Sequence, residues 1–246
     1  MKLVKHCICY ATLIGLVAAT GAYAQISSVF VTPRAWNDVP GATVTSINDY
    51  PTFIAFSESG VSQATGFANR ALWQFSNDGT TGYQFQNNQY FQVSMTLTLT
   101  GNPISPRKEA GFLLNTIGGD GQFIVNTDGH EVVAFGGPLP FYAFPKTFNS
   151  GDTITLGMTF ANVGGTNGII YSANGVNSPF EPFTNLELGI INGSTLGGYF
   201  QIVNDPANPS NGGSALFQNI SIVIPEPSVF ALLGLGMLAL VFRYRR

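Results

Sequence analysis

Tyr90-Phe91-Gln92-Val93-Ser94-Met95-Thr96-Leu97-Thr98-Leu99-Thr100 alternates apolar and polar side chains at every step. Phe91, Val93, Met95, Leu97 and Leu99 fall on one side, and Gln92, Ser94, Thr96, Thr98 and Thr100 on the other. A period of two is the mark of a strand with one face in a core and one in water. Thr153–Phe160 repeats the pattern, with Ile154, Leu156, Met158 and Phe160 inward. Between Gln25 and Ile224 no stretch shows a helical period, so these two segments set the class of the fold.

Working outward, shorter strands are predicted at Thr43–Ile47, Thr52–Phe56, Ala71–Phe75, Gly111–Asn115, Gln122–Asn126 and His130–Phe135. Others follow at Gly168–Tyr171, Leu186–Ile191, Gly198–Val203 and Ala215–Val223. Asn77-Asp78-Gly79, Asp128-Gly129, Asn149-Ser150-Gly151, Gly164–Gly168 and Asn174-Gly175 are turn sequences of hairpin type. Ten or so short antiparallel strands with polar outer faces close as two packed sheets. The expected body is all-β, an antiparallel two-sheet β-sandwich of jelly-roll or concanavalin-like type. Asn204–Gly213 reads as a long loop, and Gln25–Asp49 as an irregular lead-in or an edge strand.

Both ends read as addresses. Residues 1–24 carry Lys2 and Lys5, an apolar stretch from Cys7 to Ala19, and the small-x-small site Ala22-Tyr23-Ala24. That is a signal peptide helix, to be cleaved between Ala24 and Gln25. Both cysteines, Cys7 and Cys9, lie inside it, so the mature body has no thiol chemistry. Residues 25–222 are then the sandwich domain, and residues 223–246 a separate tail. The tail holds Pro225-Glu226-Pro227, an uncharged apolar run to Phe242, and Arg243, Arg245 and Arg246. The prolines fix φ and bias their neighbours toward extended backbone. The apolar run suits a transmembrane helix, though it is short of the ~20 residues usually required. The arginines stop transfer and keep the end cytoplasmic.

This order of parts resembles the PEP-CTERM sorting signal of Gram-negative bacteria. The resemblance implies an exosortase-type processing enzyme that recognises Pro225, Glu226 and Pro227 and cuts nearby. It further implies transit across the inner membrane, a transient anchor there, and delivery to the cell surface or the exterior. A role beside exopolysaccharide or biofilm matrix is implied with it.

Charged residues make up only 9 % of the chain, against about 25 % in an average soluble domain. The body holds five basic side chains, Arg34, Arg70, Arg107, Lys108 and Lys146, against twelve carboxylates. An acidic body argues against a nucleic-acid partner, which needs a basic face.

Chemistry is sparse in this reading. Asp120, Asn126 and Asp128 offer hard oxygen ligands for Ca²⁺, the one cofactor considered. Turn chemistry alone explains the same residues. His130 is the only histidine of the body and reads as a solvent-facing strand residue. No Gly-x-Ser-x-Gly elbow occurs, and Glu181 and Glu187 are poorly placed as a glycosidase pair. No catalytic residue is assigned, and the first expectation is a non-catalytic surface or matrix protein. The alternative is a lectin-like module, with Trp36, Trp73 and Tyr142 as sugar contacts, since aromatic faces stack on sugar rings. A secreted glycoside hydrolase is the third reading.

Overall fold

A computed structural model describes residues 23–24, 26–183, 190 and 192–225. The predicted signal-peptide helix up to residue 22, the transmembrane helix, Gln25, Glu226, Pro227, Arg243, Arg245, Arg246, most of the strand predicted at 186–191, and Glu187 lie outside them. Among the described residues there is no helix long and apolar enough to cross a membrane. The chain divides into two units. Gln25–Val223 is the sandwich; the other unit comprises Met1–Ala24 and Ile224–Arg246.

In chain order the strands are β1 (Tyr23–Ala24), β2 (Ser28–Asn37), β3 (Thr43–Asp49), β4 (Phe53–Ser59), β5 (Ala68–Ser76) and β6 (Phe91–Asn102). Then come β7 (Lys108–Thr116), β8 (Gly119–Asn126), β9 (Val132–Phe135), β10 (Tyr142–Ala143) and β11 (Thr153–Val163). The last are β12 (Thr166–Ala173), β13 (Val176–Asn177), β14 (Glu181–Pro182), β15 (Thr195–Val203) and β16 (Gly212–Pro225). One sheet runs β13-β12-β11-β6-β16-β4-β3, with β14 beside β12 and β1 beside the end of β16. The other runs β10-β9-β8-β7-β15-β5-β2. All pairings are antiparallel. In the unit that holds both chain ends, Tyr23 pairs with Pro225 and Ala24 with Ile224.

The two segments that set the fold class behave as their alternation requires. Phe91, Val93, Met95, Leu97 and Leu99 of β6 are fully buried. On the wet side, the Thr98 and Thr153 hydroxyls meet at 2.7 Å across the β6–β11 ladder. Such cross-strand threonine pairs add a few tenths of a kcal/mol each, ~0.2–1. Aromatic side chains fill the space between the sheets. Trp73 of β5 meets Phe217 of β16 edge-on at 5.8 Å, and Phe123 of β8 meets Tyr171 of β12 at 5.1 Å.

Three of the five turn sequences do close hairpins. Gly164-Gly165 links Val163 to Thr166 with φ of 60° and 89°, and Asn174-Gly175 links Ala173 to Val176 with φ of 49° and 77°. Positive φ at both central residues is what a two-residue hairpin demands. Asp128-Gly129 joins β8 to β9. The other two are corrected: Asn77-Asp78-Gly79 and Asn149-Ser150-Gly151 lie where the chain crosses between sheets. Asp78 caps its crossing by accepting the backbone amides of Thr80 and Thr81 at 2.8 and 2.9 Å. His130 is corrected too. It is not a strand residue but sits at φ 56°, with Nδ1 2.9 Å from the Phe148 carbonyl.

Lys108 is the anomaly of the interior. Its side chain is fully buried against Gly101 and Gly213 of the opposite sheet, and Nζ donates to the Pro106 carbonyl at 2.8 Å. Burial lowers its pKa to about 8. The folded pKa thus lies below the unfolded value, so the charged form carries a penalty that is complete below about pH 8 and relieved as pH rises toward 10.5. Thermal melts across pH 7–10.5 are expected to show this gain in the native chain and not in Lys108→Met. At pH 7 that variant is expected to be more stable by about 1 kcal/mol. A less stable variant, or parallel pH profiles, would contradict the assignment.

Candidate functional site: the outer face of the seven-stranded sheet

The inward side of the seven-stranded sheet carries Trp73, Phe75, Phe112, Phe123, Phe200 and Ile202, all at most 1 % exposed. Alternate residues must take the opposite, outer face. There the sheet does not turn polar and wet. Tyr199, Leu113, Ile124 and Val133 form a second buried cluster, with Leu72 and Phe135 packed against it.

A continuous polar network lies on this apolar floor. Arg70 of β5 donates through Nε to Gln201 Oε1 at 2.9 Å. Gln201 Nε2 donates to Glu109 Oε1 at 3.0 Å. The Tyr199 hydroxyl donates to the same oxygen at 3.0 Å and lies 3.2 Å from Gln122 Oε1. Register explains the meeting: Arg70, Gln201 and Glu109 are direct partners on three neighbouring strands. Arg70 also reaches past two strands to Asp120 of β8, with Nη1 3.1 Å from Oδ2, and Asn115 donates to the other oxygen at 2.7 Å. At one end Arg107 faces three carboxylates, Glu109 at 3.6 Å, Asp128 at 3.1 Å and Glu131 at 3.3 Å.

Burial pushes the Glu109 carboxyl up, opposed by the Tyr199 hydrogen bond and the two arginines. It pushes Tyr199 well above the usual phenol value, helped by the charge of Glu109. Tyr199 therefore stays a proton donor. Glu109 holds its proton to higher pH than a free glutamate, the property a proton-donating group needs.

Trp36 completes the face. The β2 register breaks between Thr32 and Trp36, around Pro33, and Trp36 then pairs with Arg70. A bulge of this kind re-aims a side chain. The indole lies on the Arg70 guanidinium, 3.7 Å from Cζ, and remains 44 % exposed. It offers a flat apolar surface beside a polar floor.

The other predicted site residues lie elsewhere. Trp73 has 0 % exposure and no surface to give a sugar. Tyr142 is half-buried in the edge strand β10 and packs against Phe144 and Tyr171, with ring centroids 4.9 and 6.3 Å away. This placement corrects the expectation of glycan contact for Trp73. The Ca²⁺ set is not brought together either. Asp120 and Asn126 are the second and last residues of one strand, roughly 20 Å apart. Each is committed: Asp120 to Arg70 and Asn115, Asn126 to Glu131 and Gly129, Asp128 to Arg107. Among the described residues no three His, Cys, Asp or Glu side chains gather as a metal site. Glu181 lies in the other sheet, paired with Ile169.

The sequence reading missed Glu109, Tyr199 and Gln201. Glu109 stands directly after Arg107 and Lys108, and a run of three charges does not mark a buried strand residue. The available signal was polar residues at a spacing of two, Tyr199 and Gln201, inside an otherwise apolar strand.

Comparison with known proteins accords with both parts of the chain. Residues 223–246 match the PEP-CTERM protein-sorting motif. No curated protein matches the chain. Among solved structures, the alginate lyase AlgAT5 from polysaccharide lyase family 7 superposes with a TM-score of 0.51 at 11 % identity, over 72 % of this chain and 80 % of that one. A variant of the family 7 alginate lyase A1-II', in complex with substrate, gives a TM-score of 0.50 at 12 % identity, over 74 % and 82 %. An endo-1,3-beta-glucanase from Streptomyces sioyaensis gives 0.48 at 14 %, over 84 % and 100 %. The expectation of a non-catalytic body is corrected by the two alginate lyase matches. The sandwiches it resembles belong to enzymes, and inactivity does not follow from the fold. The chain carries a PEP-CTERM sorting motif, which implies an exported protein processed by an exosortase, behind an all-β body with the two-sheet, jelly-roll-like architecture of these enzymes.

Proposed function

We propose that the protein is an exported polysaccharide-active sandwich whose working face is the outer face of the seven-stranded sheet. Its sorting motif would hand it to the cell surface or the surrounding matrix, where extended glycans are the abundant ligand. The observation that carries this reading is the buried network Arg70–Gln201–Glu109–Tyr199 beneath a half-exposed tryptophan. Buried polar groups are costly unless satisfied, and a sheet face built only for stability has no need of them. Trp36 supplies the stacking surface for a sugar ring. Gln122 and Asn115 supply amides for its hydroxyls, and Glu109 is the group placed to handle a proton. The enzymes sharing the fold act on polysaccharides by their names, which supports the same ligand class.

The test is retention and turnover on a panel of polysaccharides, using protein recovered from the medium or surface of its host, whose mass also reports whether Arg246 has been removed. Retention or turnover is expected on at least one polymer. Trp36→Ala is expected to weaken it about 5–30-fold, since an aromatic stacking contact is worth about 1–2 kcal/mol. Its melting temperature should stay within about 2 °C, because a half-exposed edge residue carries little of the core. Inertness toward every polymer would overturn the proposal, and an unaffected Trp36→Ala would place binding on another face.

A further inference from the structure

The charges on the outer face narrow the ligand further, given that this face is the working one. Anionic polysaccharides need cations with free hydrogen-bonding capacity, because each uronate repeats a negative charge along the chain. Both arginines here are already engaged by the protein's own carboxylates. Arg70 spends Nε on Gln201 and Nη1 on Asp120, and its flat side is covered by Trp36. Arg107 turns all three nitrogens toward carboxylates: Nη1 to Glu109, Nε to Asp128 and Nη2 to Glu131. Two arginines thus meet four carboxylates, and the partners left over are acids. The body beyond adds to this bias, with its twelve carboxylates and five basic side chains. A polyuronate docking here would face a field of its own sign and would compete with protein carboxylates for both arginines. A neutral sugar meets no such barrier. It needs the indole of Trp36 for its C–H face and the amides of Gln122 and Asn115 for its hydroxyls. Burial, which holds Glu109 toward its protonated form, lowers the remaining negative charge and suits the same ligand.

We infer that the working face takes a neutral polysaccharide rather than a polyuronate, because every cation on it is already neutralised by a protein carboxylate. The measurement is affinity electrophoresis of the full-length protein in gels cast with laminarin, dextran, xylan, alginate or polygalacturonate. Retention is expected in at least one neutral gel and should be at least about ten-fold weaker in both acidic gels, since like-charge juxtaposition is strongly penalised. The double variant Asp128→Asn/Glu131→Gln frees two nitrogens of Arg107. It should gain several-fold in retention on alginate, and added salt should abolish that gain. Tighter retention on alginate or polygalacturonate by the native protein would overturn the inference while leaving a glycan-active face intact. No retention or turnover on any of the polymers would overturn both.

Discussion

Trp73→Ala is expected to cost about 3–5 kcal/mol of folding stability, the range for deleting a buried large aromatic. In a domain of this size that lowers the melting temperature by roughly 6–20 °C. Trp73 stands edge-on to Phe75 at 5.2 Å and 89°, and to Phe217 of the opposite sheet at 5.8 Å and 75°. Its indole also fills the space above Gly198, where an added Cβ would come within 2.5 Å of Nε1. No neighbour can collapse into the volume it would leave, because the surrounding strands are pinned on both sides by their ladders. Among the described residues Trp73 Nε1 has no hydrogen-bond partner, so Trp73→Phe loses volume but no bond. About 1–2 kcal/mol is expected for that change. Denaturant unfolding followed by far-UV circular dichroism reads both values. At temperatures where Trp73→Ala is still folded, glycan retention should equal that of the native protein. A loss of retention without a loss of stability would mean that the indole reaches a ligand after all.

Gly197→Ala is the second large effect expected. A Cβ at Gly197 would lie 1.8 Å from the Trp73 carbonyl oxygen and 2.6 Å from the Gln74 Cα, both backbone atoms of the neighbouring strand. Neither can swing aside as a side-chain end would. The strand holding Gly197 is ladder-bonded to β5 on one side and β7 on the other, so relief requires moving a strand within the sheet. Gly111, one strand over, is crowded in the same way, with a Cβ 2.2 Å from the Phe123 carbonyl. Both glycines are on the outer face, where the lack of side chains lets adjacent backbones close in beneath Tyr199. A destabilisation of about 3 kcal/mol or more is expected for Gly197→Ala. Gly41→Ala is the control, since nothing lies within 4 Å of its Cβ, and it should be neutral to within about 0.5 kcal/mol. Equal melting temperatures for the two variants would show that the strands around Gly197 are looser than the register implies.

Parts of this architecture were legible without coordinates because a local rule governs them. The long strands β6 and β11 have one wet face, so their alternation is written residue by residue. The Gly164-Gly165 and Asn174-Gly175 turns require positive φ, which few residue types supply. By contrast β2 reads only as part of an irregular lead-in or an edge strand, without bounds of its own. It is an edge strand, paired on one side only and broken by a bulge near Pro33, so neither alternation nor apolar content marks it. The central strands β5, β7 and β15 bury residues on both faces, which erases the period of two.

Local chemistry therefore settled the all-β class, the antiparallel pairing and the sorting motif at the chain end, each carried by a few consecutive residues. The working face required the tertiary structure. Arg70 and Gln201, 131 residues apart, become neighbours only through strand register. The same register puts Trp36 on the exposed side of a sheet whose Trp73 is buried. Two tryptophans of identical composition acquire opposite roles because side-chain direction in a sheet depends on register and bulges, and those are set by pairing with distant strands.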